Sequence, residues 1–471
     1  MKKTAATADA PVRIRWWNSR LVLLIAFAFS IMADPVSSVS YAIEAALRAL
    51  DGRIDLLVWA MGAVVFVVAL VVASYHQLVA RFPEGGGAAA ATGKAFGEGW
   101  SFIPMGALIV DFVLTIAISV SAGSSAIISY FPGVAPYRLL LALGLLTLVA
   151  LLMQFGHLGR AVFALLTIIF LVIGLTVLYQ ALKDPAAAAV SEPNLTKSAP
   201  LAVILAFPVA MALATGVEAP SSAIAQLPQL DDATRRAFGR WALWLTLGIV
   251  GVITIGLAVA AVHLQIGIPR PDTTLVGEIA RAGSSGTVFA AFQGATALLL
   301  LSAASSSFQA GPGLLKALAR SATPGGSRHG LLPVAFGRMN KHHVPLVGVL
   351  VFYVLSAAVV AAGGAQDQEL VVFYAVAVFV SFLMGLTAMS LFAYRERHLG
   401  WFTLNIAATI AVTFTLVANL FRPAAIGSLA ATGLVAGGLY FAWVRAGRPG
   451  GASHALAEAE APDESLDTPT G

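Results

Sequence analysis

Apolar and polar positions alternate along the chain as about twelve long apolar runs separated by short polar stretches. A hydrocarbon core of ~30 Å needs ~20 apolar residues in a helix. Runs of that length lie near 21–49, 55–79, 98–130, 136–153, 158–181, 199–226, 238–264, 285–318, 344–363, 367–393, 400–420 and 424–445. Several are apolar on every side, as helices facing lipid or lying inside a bundle are. The pattern predicts an all-α integral membrane protein with about 12 transmembrane helices.

Two of these runs are interrupted where a span should be continuous. The first contains Asp34-Pro35-Val36-Ser37-Ser38, and the sixth contains Glu218-Ala219-Pro220-Ser221-Ser222 just after Gly216. Each has an acid, a proline within two residues, then a pair of serines. Proline removes an amide donor and clashes with the preceding turn, and freed backbone groups at membrane depth are tolerated only where protein or a water-filled cavity satisfies them. Matched interruptions in corresponding positions of two halves are the sequence mark of an inverted-repeat transporter. Spans 1 and 6 are therefore expected to be broken helices lining a central site. Residues 21–181 would form one five-helix repeat and 199–393 the second, with the two spans of 400–445 peripheral. A proline that merely kinks a packed helix is the plainer alternative for either span taken alone.

Composition agrees with the pattern and adds an orientation. The 471 residues are 59% hydrophobic and 11% charged, against roughly 25% charged in a soluble domain. With the N-terminal residues 1–20 placed in the cytoplasm, 20 of the 28 Lys and Arg residues fall on that side, which puts both termini inside. The net charge of +5 is thus a topology signal and not a nucleic-acid patch. No short apolar leader with a cleavage site precedes the first span, which is expected to stay attached. Residues 446–471 are acidic and rich in alanine and proline, and are expected to be disordered in the cytoplasm. The absence of cysteine excludes disulfides, thiolate metal sites and cysteine nucleophiles.

The candidate chemistry follows from the acids. An ionised carboxylate at the bilayer centre costs roughly 2.5–3.5 kcal/mol, and two facing one cavity also repel each other. No basic residue lies deep in spans 1, 3, 6, 8 or 10 to pair with Asp34 or Glu218. The two acids are read as a cation site, a proton relay, or both. In span 3, Asp111, Thr115 and Ser119 are spaced i, i+4, i+8 and share one helix face, where hydroxyls offer neutral oxygen ligands. Thr115 and Ser119 bonding their own i−4 carbonyls is the plainer alternative. Tyr41 lies two turns after Asp34, and Tyr374 lies within span 10. The stretch "RFPEGGGAAAATGKAFG", residues 81–97, has no phosphate-loop spacing and is read as a bent cytoplasmic loop beside an inner gate. No constellation for nucleophilic or hydrolytic catalysis is present, so the chain is not read as an enzyme.

The stretches "DPVSSVSYAIEAAL", "FPEGGGAAAATGKAFG", "DFVLTIAISVSAGS", "ATGVEA" and "FYAVAVFVSF" resemble the amino acid–polyamine–organocation superfamily, and within it the KimA/KUP-like bacterial potassium importers. The resemblance implies a fold like that of the LeuT group, two inverted five-helix repeats with broken first helices, often as a homodimer in the lipid bilayer. It implies import of potassium with proton coupling and without a bound cofactor. It places potassium-binding or coupling roles on Asp34, Tyr41, Thr115, Ser119, Thr215, Glu218 and Tyr374, with Glu218 and Asp34 carrying the proton. Phe112 stands where such importers tend to have a tyrosine, and the large soluble regulatory domain that follows their last span is expected to be absent. An amino acid or amine transporter of the wider superfamily is the alternative. A sensor or channel is disfavoured by the lack of an output domain or a filter-like carbonyl motif.

Overall fold

A computed structural model describes residues 20–155, 159–183, 198–320 and 330–461. In chain order the helices are α1 (Arg20–Ile31), α2 (Ala33–Ala49), α3 (Leu57–Arg81), α4 (Gly87–Phe96), α5 (Phe102–Tyr130), α6 (Arg138–Met153), α7 (Arg160–Lys183), α8 (Ala199–Ala210) and α9 (Ala219–Ala223). They continue with α10 (Asp232–His263), α11 (Leu275–Gly283), α12 (Gly286–Arg320), α13 (Val334–Gly337), α14 (Leu346–Ala362), α15 (Asp367–Arg395), α16 (Leu399–Leu420), α17 (Pro423–Arg445) and α18 (Ala455–Glu460). Among the described residues 11 segments are long and apolar enough to cross a membrane. The expected span at 344–363 is present as α14, 17 residues long. At 1.5 Å per residue that is about 25 Å, because Pro345 precedes the helix and Gly363 and Gly364 end it.

α5 runs through the centre and is buried along most of its length, packed by α12, α15 and α17. Large apolar side chains such as Trp59, Phe66, Leu140, Leu165 and Ile410 are exposed on the outer helices. An exposed apolar surface that broad is what lipid covers. The basic end of the bundle carries Arg81, Lys94, Arg240 and Lys316, and the opposite end carries Arg48, Arg138 and Arg281.

Spans 1 and 6 are both interrupted, as expected, and the interruptions differ in kind. Span 1 breaks at one residue, Met32, between α1 and α2. The helical bonding carries on across it, with Met32 N bonded to Ala28 O at 3.0 Å and Val36 N to Met32 O at 2.9 Å. Pro35 then sits in the first turn of α2, where a missing amide costs least. Span 6 is unwound. α8 passes into a 3-10 turn at Met211–Ala214, Thr215 is extended, Gly216 takes φ +71°, and helix resumes only at Ala219.

Two expectations at the basic end are corrected. The stretch read as a loop contains the helix α4, which packs on α15. It is set by Gly85 (φ +94°), at which a Cβ would meet the Ser222 carbonyl at 2.7 Å. The chain after α17, read as disordered, is folded through residue 461, with α18 seated against α12. Its short side chains find a matching surface there that local composition does not reveal. Residues 462–471 lie outside the described residues.

Candidate functional site

The two interruptions touch. A Cβ at Gly216 would lie 2.7 Å from Asp34 Oδ2 and 2.9 Å from Pro35 Cδ, so the carboxylate of one break rests on the bare backbone of the other. Ser38 ties the contact, its hydroxyl shared between the carbonyls of Pro35 at 2.8 Å and Leu213 at 3.3 Å. Matching Pro and Gly elements in the sequence thus build one structure: α2 enters against the unwound turn of span 6.

Three carboxylates surround this point. Glu218, the residue before α9, accepts a hydrogen bond from Tyr75 of α3 at 3.0 Å and one from Ser381 of α15 at 3.4 Å. Asp34 Oδ1 and Asp111 Oδ1 are shielded from solvent and accept none. Among the described residues none of the three forms an ion pair. Uncompensated charge at this depth is costly unless a cation, a proton or water meets it. Among the described residues no three His, Asp or Glu side chains converge closely enough to ligate one metal ion. The three acids share a cavity of about 480 Å³ instead.

The other expected site residues divide. Thr115 and Ser119 follow Asp111 by one and two turns on α5, and Tyr41 follows Asp34 by two turns on α2; all three are buried. They continue from the carboxylates toward the opposite end, beyond the cavity lining. Ser119 Oγ is buried with no hydrogen-bond partner, so the i−4 back-bond is not made there. Thr215 lies in the span-6 break with its hydroxyl donated to Ala212 O at 3.0 Å. Tyr374 belongs to α15, and its side chain lies outside the described residues. Phe112 does line the cavity, so a ring without a hydroxyl stands at that wall.

Above this column, among the described residues, two polar clusters tie the helices together. Arg138 of α6 donates to Ser125 Oγ at 2.6 Å, and Ser125 donates to Asp367 Oδ1 at 2.6 Å, joining α5, α6 and α15. Glu44 of α2 pairs with Arg48 at 2.8 Å and accepts the Leu275 amide of α11 at 2.9 Å. At the basic end the cavity extends past Ser222, Gln226, Ser306 and Lys316, forming a vestibule there.

Tyr75, Ser381 and the clustering of Asp111 with the two break acids are what sequence reasoning did not place in the site. Asp111 carried a signal, a charge inside an apolar span on the face of Thr115 and Ser119. Tyr75 and Ser381 carried none, since a lone tyrosine or serine in a span is ordinary.

The profile of the family described as amino acid permease matches residues 21–437. The potassium transporter KimA of Bacillus subtilis (strain 168) is 30% identical over 402 residues, which are 82% of this chain and 63% of that protein. The chain thus spans less than two thirds of the length of this relative. Among solved structures, a mutant of the manganese transporter of Eremococcus coleocola aligns over 93% of this chain and 98% of its own, at 13% identity and a TM-score of 0.46. The family match runs from the first span into the last and includes Asp34, Asp111 and Glu218, and the chain belongs to the amino acid permease family of the amino acid–polyamine–organocation superfamily, as a multi-pass membrane protein.

Proposed function

We propose that the protein is a secondary active transporter that imports potassium, driven by protons. One observation carries the reading: Asp34, Asp111 and Glu218 meet at one cavity with no ion pair to them among the described residues, next to a buried column of hydroxyls on α5 and α2. Anionic and hydroxyl oxygens are the ligands of a hard monovalent cation. The likeness to a potassium transporter supports the same substrate.

The basic end is cytoplasmic by the distribution of Lys and Arg, so the vestibule opens inward and the sealed end faces out. In this reading potassium is held at Asp34 and Asp111, with Tyr41, Thr115, Ser119, Thr215 and Tyr374 as oxygen ligands along the path from outside. Glu218, held by Tyr75 and Ser381, carries the proton and gives it to vestibule water. The cycle requires the seal at Ser125, Arg138 and Asp367 to open before the vestibule closes. No bound cofactor enters the scheme, and a homodimer is compatible with the exposed outer helices.

A cationic amine is the second reading, and the cavity favours it specifically. About 480 Å³ lies within the range of sites that hold small organic ligands, ~300–1,000 Å³. A neutral amino acid fits poorly, because Pro35 offers no amide and Asp34 repels a carboxylate.

Rubidium uptake into proteoliposomes under an inward proton gradient tests the proposal, with Asp34→Asn alongside. Gradient-driven uptake that the substitution abolishes is the expected result. Binding of amines without any rubidium uptake by an active preparation transfers the assignment to the second reading.

A further inference from the structure

After α17 the chain turns back under the bundle. Trp443 Nε1 donates to the Pro449 carbonyl at 2.8 Å, Gly451 takes φ +89°, and Ala452–His454 forms a 3-10 turn that leads into α18. A solvated tail of alanine, serine and glutamate would be exposed throughout. Here Ala455 is 0% exposed and Leu456 3% exposed.

The chemistry that holds the segment comes from two distant parts of the chain, around residues 93–98 and at Gln226. Glu98, in the short turn before α5, accepts Gly451 N at 3.2 Å and Ser453 Oγ at 3.0 Å on one oxygen, and Ser453 N at 2.8 Å on the other. One carboxylate thereby satisfies two backbone amides and a hydroxyl, the stronger, charge-assisted kind of hydrogen bond. Gln226, just after α9, donates to Glu460. Ser453 lies over Gly93 of α4 so closely that a Cβ there would come 2.4 Å from the Ser453 Cβ. Leu456, Ala459 and Glu460 line the same cavity as Asp34, Asp111 and Glu218.

We propose that the mouth of the vestibule is a docking surface, formed around Gly93, Glu98 and Gln226, whose occupant is this chain's own segment 450–461, and that the docked segment obstructs passage between the site and the basic end. The obstruction of transport rests on the transporter reading; the docking does not. The attachment suits a reversible stopper. It buries one leucine and a few alanines, and elements with so few buried apolar contacts open at a small fraction of the global unfolding free energy.

The absence of cysteine makes the test direct. Ser306→Cys, on the cavity wall, is introduced into the full chain, and its maleimide labelling rate in detergent is measured beside rubidium uptake. Gly93→Ala displaces Ser453 without altering any carboxylate. With the released state a minor one of 0.1–10%, labelling is expected to rise about tenfold or more, and uptake with it. Adding Ser453→Gly removes the overlap, keeps both amide bonds to Glu98 and lowers both values back toward the start, less the lost hydroxyl bond, which a folding defect at Gly93 would not do. Leu456→Asp provides a second release variant. Labelling unchanged in both release variants overturns the docking proposal. Faster labelling with unchanged uptake in an active preparation overturns the obstruction. Faster labelling where no preparation takes up rubidium supports the stopper while counting against potassium as substrate.

Discussion

The carboxylate of Asp34 lies on the backbone of Gly216, joining the interrupted helices of the two halves where no side chain intervenes. Both properties of glycine are used. Its φ of +71° is one that L side chains rarely adopt, and its missing Cβ leaves room for Asp34 Oδ2 and Pro35 Cδ. Gly216→Ala therefore carries backbone strain on the order of 1–3 kcal/mol and pushes Asp34 away. The expected outcome is a folded protein, monodisperse on size exclusion, whose rubidium uptake falls at least about tenfold. Wild-type uptake by this variant contradicts the contact.

Glu218 is held by two donors of unequal quality, at 3.0 Å from Tyr75 and 3.4 Å from Ser381. A hydrogen bond to a charged group contributes about 1.5–3 kcal/mol, and one near the distance limit contributes less. Tyr75→Phe is expected to reduce proton-driven uptake by about tenfold, Ser381→Ala by only a few-fold, and Glu218→Gln to remove its pH dependence. Initial rates across a series of external pH values check all three; full coupling in the Gln variant removes Glu218 from the proton path.

Asp111 adds a third carboxyl group to the cavity. A unit charge ~4 Å from the ion contributes on the order of 4 kcal/mol at an effective dielectric constant near 20, before the cost of desolvating ion and carboxylate. Asp111→Asn should raise the half-saturating rubidium concentration about tenfold while uptake at saturation changes less. The concentration dependence of uptake measures this, and an unchanged half-saturation point means that Asp111 does not face the ion.

Ser125 is the shared partner of Arg138 and Asp367 in the seal opposite the vestibule. Ser125→Ala keeps both charges and removes their link, so the seal should open more often. A cysteine at Ser119, below the seal, is then expected to react faster with an impermeant maleimide added from that side, by about tenfold. Labelling at the unsubstituted rate places the closure elsewhere.

Much of this architecture was legible in the sequence because hydrophobicity and Pro/Gly punctuation are local signals. The spans follow from run length, and the paired interruptions follow from Asp34-Pro35 and from Gly216 with Glu218 and Pro220. The face shared by Asp111, Thr115 and Ser119 follows from helical spacing alone. What escaped depends on partners far along the chain. Tyr75 meets Glu218 across 143 positions and Ser381 meets it across 163, and neither residue type is unusual in a span. Ser453 and Leu456 sit in a stretch whose composition reads as solvated, and their burial is dictated by Gly93 and Glu98, which nothing local announces.

The unequal interruptions of spans 1 and 6 have a mechanical consequence. Span 1 keeps its bonding through Met32 and behaves as a creased rod, stiff along its axis. Span 6 gives up helical bonding across Thr215–Glu218 and behaves as a joint. Any rocking of one half against the other therefore concentrates torsion at Thr215 and Gly216, while Asp34 rides on the stiff member. The fulcrum and the carboxyl group thus sit on opposite sides of one contact, and the position of Asp34 is set by the member that does not bend.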